Sequence, residues 1–586
     1  MTDAAYVVFP AIGIARVGDS PTDFYIGPEM YRGLPILPDG AAFGPKDFRD
    51  AEGHMRRQAA RFRIYRETGE TVEEITLESP GVKEIRWTVH LANKKASWYQ
   101  FKTSSGEQGY APNHLLRNAD KQTVEDRLKL IIDPGPRDIS GPNAGGTASP
   151  VEFSRSTIPP GYKGGSFPPP SLKPFTIDTL GNLRTDSVGR LLVLGGHGRS
   201  GSISKNPALP AYANNDGWWD DTSDGPVQAS ITLTSGEVIE AQPAWVLTTP
   251  PKYAPQLANL VTLYDVIFDT SVRLQGGRPD MFENGIWKSG EHGYRPSFET
   301  DIKPIFERAA GYRWVAAIPP KPHSFDYERL GNTDPALNEF RKYFLDAIRP
   351  PYSDNVIINP ASGATMMPYI AGDDSLGAPD EAGAALATSK YLRLTDTQYF
   401  LLQQWADGYF DVAATPGRHP GERLTRAVLE NCVGGAFSPG IEMTWLSRNP
   451  AIYAAPFRIR VRPKIPDPLS LGFRPDLGME PGDIARYMAL PWQADFNECS
   501  SQPINGRTLW WWPVQRPEFV FLNSGQQVPW IGTDYDQNGG DFISFADNLQ
   551  MVHNWDKLGS VYDIGSDGDE RFVEVARVLP RDTPTS

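Results

Sequence analysis

Fifty-four prolines and 55 glycines punctuate this 586-residue chain. Proline removes a backbone donor and glycine weakens the interior of any regular element. Such a chain is restricted to short elements joined by many turns, which favours a strand- and loop-rich fold over a helical bundle. The length exceeds what one hydrophobic core usually supports, so two or more domains are expected. Ile85, Trp87, Val89 and Leu91 alternate with polar or small residues, which predicts a strand with one apolar face. Ile231 and Leu233, a turn at Ser235-Gly236, and Val238 predict a hairpin. Residues 133–146 and 159–174 read as loops by composition. Helices are predicted over 299–310, 422–432 and after the capping box Thr395-Asp396-Thr397-Gln398, where Leu401 and Trp405 face inward. No repeat of 20–50 residues is visible. The expected class is α+β: a strand-rich part over 1–255, then a mixed, loop-rich part over 256–586 that carries the chemistry.

Several function classes fall away. The net charge of −14 argues against nucleic acid, which selects a basic face. The start, Met1 to Pro10, lacks the basic region and long apolar run of a signal peptide, and no apolar stretch is long enough to span a bilayer. Two cysteines make no disulfide framework. A soluble, cytoplasmic protein of a reducing compartment is expected, with export by another route left open. The eight histidines show no metal-ligand spacing, so no catalytic metal is expected. Asp534 to Gly539 opens like a calcium loop, but its twelfth position is Phe545, not Glu. No G-x-S-x-G elbow supports a serine hydrolase. Gly196-His197-Gly198-Arg199-Ser200-Gly201 fits the dinucleotide pattern, yet Ser202 to Pro207 is poor helix, and a glycine-rich turn is the better reading.

The unusual segment is Pro491-Trp492-Gln493-Ala494-Asp495-Phe496-Asn497-Glu498-Cys499. If it is helical, Asp495 and Cys499 share one face at i, i+4. The carboxylate would then serve as base for the thiol. If it stayed ionised, it would instead disfavour the thiolate. The plainer alternative is a buried cysteine near an N-capping aspartate.

Together with His553-Asn554-Trp555-Asp556-Lys557-Leu558-Gly559, this segment resembles the LodA-like family of cysteine tryptophylquinone-dependent oxidases, which includes L-lysine epsilon-oxidases and glycine oxidases. Pro10 to Gly18, Ile26 to Glu29, Asn431 to Gly435, Ser438 to Glu442 and Trp511 to Pro513 add to the resemblance in order along the chain. The resemblance implies a cofactor made from the protein itself: a thioether from Cys499 to the indole of Trp555, which also carries two oxygens as an ortho-quinone. Trp510, Trp511, Trp512 and Trp530 are the competing tryptophans, with packing as their other role. It implies that a primary amine condenses with the quinone and that Asp495 takes a proton from the carbon bearing nitrogen. Dioxygen then reoxidises the cofactor, and aldehyde or oxo-acid, ammonia and hydrogen peroxide are released. Asp495 would also assist crosslinking. A separate flavin-dependent modifying enzyme and homo-oligomers are implied as well.

The same resemblance places the 196–201 loop near the substrate, where His197 departs from the large aromatic of the family and leaves the substrate open between glycine, the lysine side-chain amine and another amine. Cys432 and Ser438 line the pocket or belong to the core. Glu442 contacts the substrate amine or satisfies backbone amides. His553 orients the quinone or faces solvent. Two other classes remain: a nicotinamide or flavin oxidoreductase using the 191–201 loop, and a non-catalytic strand-rich binding protein.

Overall fold

The computed structural model describes residues 4–102, 110–318, 323–351, 355–373, 390–413, 419–435, 439–499, 502–504, 507–509, 511, 513–531, 545, 547–566 and 568–578. The candidates Ser438, Trp510 and Trp512 and the expected turn at 534–539 lie outside these residues. The architecture is α+β. Among the described residues thirteen strands join in one sheet. Its main path runs Arg137–Ser140, Val82–Val89, Ser223–Leu233, Ala244–Thr249, Ile12–Arg16, Arg57–Thr68, Leu191–Leu194, Thr179–Thr185 and Val151–Ser154. The central pair, Ala244–Thr249 and Ile12–Arg16, is parallel, with Trp245 opposite Ile12. Every residue of both strands is buried. That is the signature of strands covered on two faces.

Alternation along these strands feeds two cores. Ala15, Ala244 and Val246 point into a core with Phe62, Trp87 and Val89. Ile12, Ile14, Trp245 and Leu247 point the other way, onto Leu263, Ile267 and Leu429. Those last three come from α1 (Leu263–Leu274) and from α4 (Pro420–Glu430), so the C-terminal half roofs one face of the N-terminal sheet. A third core gathers α1, α2 (Lys303–Gly311), α3 (Asp396–Ala406), α5 (Trp492–Glu498) and α6 (Asn548–Asn554).

The local expectations fare well where a local rule governs them. Ile85, Trp87 and Val89 are the buried positions of Val82–Val89. The hairpin pairs Ile231 with Ile239. The Thr395 capping box is made in both directions, Leu401 and Trp405 are buried, and Gly408 ends the turn at φ +86°. The 299–310 helix is α2, preceded by a π-turn over Phe298–Ile302. The 133–146 segment requires a correction. Within it Arg137–Ser140 is the edge strand of the sheet, Ile139 facing Trp87. An edge needs one paired side only, so flanking Pro and Gly are tolerated there. In 159–174, Lys173–Pro174 likewise forms a two-residue strand beside Gly201–Ser202.

Candidate active site

Helix α5 follows directly from its sequence. Pro491 is extended and starts it without a side-chain cap. The buried Asp220 carboxylate fills that role, accepting the Trp492 N–H at 3.2 Å while it pairs with Lys95 Nζ at 2.8 Å. At the other end Arg516 donates to the carbonyls of Phe496 (2.6 Å) and Asn497 (3.2 Å). Both ends of a seven-residue helix are thus satisfied by distant residues, which fixes its axis.

That axis brings Asp495 and Cys499 onto one face. Cys499 Sγ donates to Asp495 Oδ1 at 2.9 Å, and its backbone N–H bonds the Asp495 carbonyl, also at 2.9 Å. Burial pushes the Asp495 carboxyl up to about 8, partly offset by the thiol hydrogen bond. Burial, then the Asp495 charge, holds the Cys499 thiol well above its ordinary range. The aspartate is therefore not an N-cap; it is a desolvated acid that is neutral until mildly alkaline pH.

Trp555 joins Cys499, Trp492 and Phe496 in the same apolar core. It opens a 3-10 turn directly after α6, and α6 packs along α5. The ring of Trp492 stands edge-on to Trp555 (centroids 5.4 Å apart) and to Phe496 (5.1 Å). Tyr253 Oη donates to the Trp555 carbonyl at 2.7 Å. Trp530 donates to the Gly559 carbonyl and stacks edge-on with Tyr253. Trp511 is half-buried against the same core. A small internal cavity beside Asp495 is bordered by Lys95, Thr249, Glu442, Trp492 and Phe496.

The remaining candidates spread out. Glu442 borders that cavity, but its Oε1 accepts from Arg16 Nη2 at 2.6 Å and its Oε2 from the Val433 N–H at 3.0 Å. Cys432 lies in the neighbouring core and borders a different cavity with Arg16, Lys252 and Asn431. Burial, then the Arg16 charge, brings the Lys252 amine down to about 7. His197 donates its backbone N–H to Asp221 Oδ2 at 2.7 Å, and burial brings its imidazole down to about 3, so the ring is neutral. His553 is half-buried against the ring of Phe175, 5.5 Å between centroids. No helix follows the 196–201 glycines; Ser200–Ser202 is a strand, so the helix N-terminus a dinucleotide phosphate needs is missing at this loop.

Local sequence carries no signal for Gln493, Arg516 or Asp220 as supports, because each acts across a long loop. Nor does it mark Asp19, which shares a hydrogen bond with Asp556 beside Trp555 and is pushed up to about 7 by burial and then by the Asp556 charge. Two acids brought together in a buried stretch are a feature that only the fold reveals.

Comparison with known proteins places the chain in a family. Residues 9–248 match the family described as L-Lysine epsilon oxidase N-terminal, and residues 376–518 match the L-lysine epsilon oxidase C-terminal domain. The L-lysine 6-oxidase of Marinomonas mediterranea is 36% identical over 545 residues, covering 86% of this chain and 72% of that protein. The crystal structure of the L-Lys epsilon-oxidase from that organism superposes with a TM-score of 0.85 at 30% identity, covering 98% of this chain and 95% of the other. The structure of its Schiff base intermediate with L-Lys superposes at 0.84, with the same identity and coverage. The chain belongs to the L-lysine epsilon-oxidase family of amino-acid oxidases.

Proposed function

We propose that this protein oxidises a primary amine of an amino acid through a quinone built from its own Cys499 and Trp555, with the side-chain amine of L-lysine as first substrate and glycine as second. The observation that carries the reading is the hydrogen bond from Cys499 Sγ to a desolvated Asp495 within the core that also holds Trp555. The relative whose complex with L-Lys is known supports lysine as the first amine to test.

The residues fit such a group. The Trp492 Nε1–H is buried with no hydrogen-bond partner among the described residues, beside an indole that would gain two acceptor oxygens. The cofactor, cysteine tryptophylquinone, supplies an electron sink for two-electron oxidation of the amine. Everything else falls to side chains. Asp495, in its ionised form, draws the proton from the Cys499 thiol while the thioether forms, assisted by a separate flavin-dependent modifying enzyme. Afterwards Asp495 Oδ1, relieved of the thiol hydrogen, accepts the proton that leaves the nitrogen-bearing carbon. The acid is buried beside Trp492 and Phe496, and its removal from water keeps its basicity high. Overall, amine, dioxygen and water give aldehyde, ammonia and hydrogen peroxide.

The test is intact mass with a peptide map across residues 499 and 555, on protein produced with the modifying enzyme, alongside peroxide formation from L-lysine and from glycine. A joined peptide and amine-dependent peroxide are expected. Active protein with an unjoined Cys499 would falsify the reading.

A further inference from the structure

The backbone of one loop lies against Trp555. The turn after strand Leu191–Leu194 reaches Gly198 at φ +70°, a conformation glycine alone adopts freely. A Cβ built there would fall 2.0 Å from Trp555 Cζ2, 2.5 Å from Cη2 and 2.7 Å from Cε2. Cη2 and Cε2 are the two ring neighbours of Cζ2, and both are barely farther away than Cζ2 itself. Only a point above the ring face gives that pattern, since a point in the ring plane beyond the edge would be well removed from both. The main chain at 198 is therefore laid flat on one face of the benzo ring.

The loop is held in that place. Gln493, fully buried on α5, donates Nε2 to the Gly198 carbonyl at 2.9 Å and accepts from Ser200 Oγ at 2.7 Å. Gln493 stands two residues before Asp495 and six before Cys499. One short helix thereby sets the sulfur, the acid and the loop that covers the indole.

We infer that Gly198 and Gln493 are positioning residues for cofactor formation: bare backbone, pinned by Gln493, covers one face of the Trp555 indole and sets where that ring lies relative to Cys499 on the same helix as Gln493. This rests on the reading that residues 499 and 555 become joined. Joining them replaces the Sγ–H and one ring C–H by a single S–C bond, releases two protons and passes two electrons to the flavin of the modifying enzyme. Ordinary contact with a Cβ begins near 3.4 Å, so any side chain at 198 shifts the ring by an ångström or more. Misplacement of that size lowers rates by about a hundredfold.

The experiment compares wild type, Gly198→Ala, Gln493→Leu and Ser200→Ala, each produced with the modifying enzyme. The readouts are intact mass, quinone absorbance per chain and thiols titrated after denaturation. The chain has two cysteines, so an unjoined chain reports two thiols and a joined one reports one. Wild type is expected to report one. Gly198→Ala is expected to report two, with quinone absorbance down about a hundredfold. Gln493→Leu is expected to fall between them, with a shifted absorbance maximum in its joined fraction, and Ser200→Ala close to wild type. A role in stability alone would lower the melting temperature and leave one thiol per folded chain. If Gly198→Ala does not fold, Gln493→Leu carries the test. One thiol and wild-type absorbance in the folded variants overturn the inference while the cofactor reading stands. Two thiols in active wild type overturn the cofactor reading, and this inference with it.

Discussion

The two buried thiols of this protein stand beside acids of unequal freedom. Asp495, next to Cys499, accepts the thiol hydrogen at 2.9 Å and has no ion-pair partner among the described residues. Its protonation can change, and burial sets that change near neutral pH, at about 8. Glu442, next to Cys432, is gripped by the Arg16 guanidinium at 2.6 Å and by the Val433 amide at 3.0 Å. Burial pushes both thiols up. What separates the sites is the neighbour: a desolvated acid without an ion pair, on which Arg516 and Lys95 act only from a distance, is free to exchange a proton, whereas a carboxylate locked to a guanidinium is a fixed strut.

The comparison breaks first at Cys499 and Asp495. Cys499→Ala and Asp495→Asn should each yield folded protein with complete loss of the mass gain and of quinone absorbance. A mature chromophore in Asp495→Asn would remove the acid from crosslinking. The next largest effect falls on the other site. Glu442→Gln leaves Arg16 buried without its counter-ion, and breaking a buried pair costs roughly 3–5 kcal/mol. Urea unfolding of the uncrosslinked chain measures it, free of any cofactor contribution. A loss below about 1 kcal/mol, the range of exposed pairs, would mean that Glu442 is no strut.

A third test uses pH. The Asp495 carboxyl rises from its ordinary 3.8 to about 8 in the fold. The folded state thus keeps a proton that the unfolded chain releases. That stabilising contribution is full below about pH 4 and is lost as pH rises to about 8. Relative to the uncrosslinked wild-type chain, Asp495→Asn should therefore gain stability steadily over that window and then level off. In the mature enzyme the thiol hydrogen bond that lowers this carboxyl is gone, so the base form accumulates no earlier than in the uncrosslinked chain and kcat/KM should still be climbing at about pH 8. A flat profile from about pH 6 to about pH 9 counts against Asp495 as the base.

Legibility in the sequence follows the range of each interaction. Period-two alternation at Ile85, Trp87 and Val89, the Ser235-Gly236 turn and the Thr395 capping box are local rules, and the structure obeys them. The edge strand Arg137–Ser140 hides behind Pro and Gly because its partner, Val82–Val89, is supplied by the sheet. The parallel pairing of Ile12–Arg16 with Ala244–Thr249 spans more than two hundred residues and leaves no local trace. The site divides the same way. Asp495 and Cys499 are readable at helical spacing, whereas Trp555 is reached only through resemblance to a family. The Arg16–Glu442 pair spans 426 positions and the Gln493–Gly198 bond 295, beyond any periodicity argument.

The smallest expected effect sharpens the comparison most. Cys432 is fully buried among Ile12, Leu429 and Tyr453, so Cys432→Ala leaves a one-atom void that costs about 1 kcal/mol. Its thiol donates to the Val428 carbonyl at 3.4 Å, but that carbonyl also accepts the Asn431 N–H at 3.3 Å and stays satisfied. Arg16 and Glu442 keep each other. The variant should mature and turn over like wild type, and after maturation it should titrate with no free thiol at all. If it fails to join Cys499 to Trp555, the two cysteines serve one machine, and the contrast between a proton carrier and a strut is wrong.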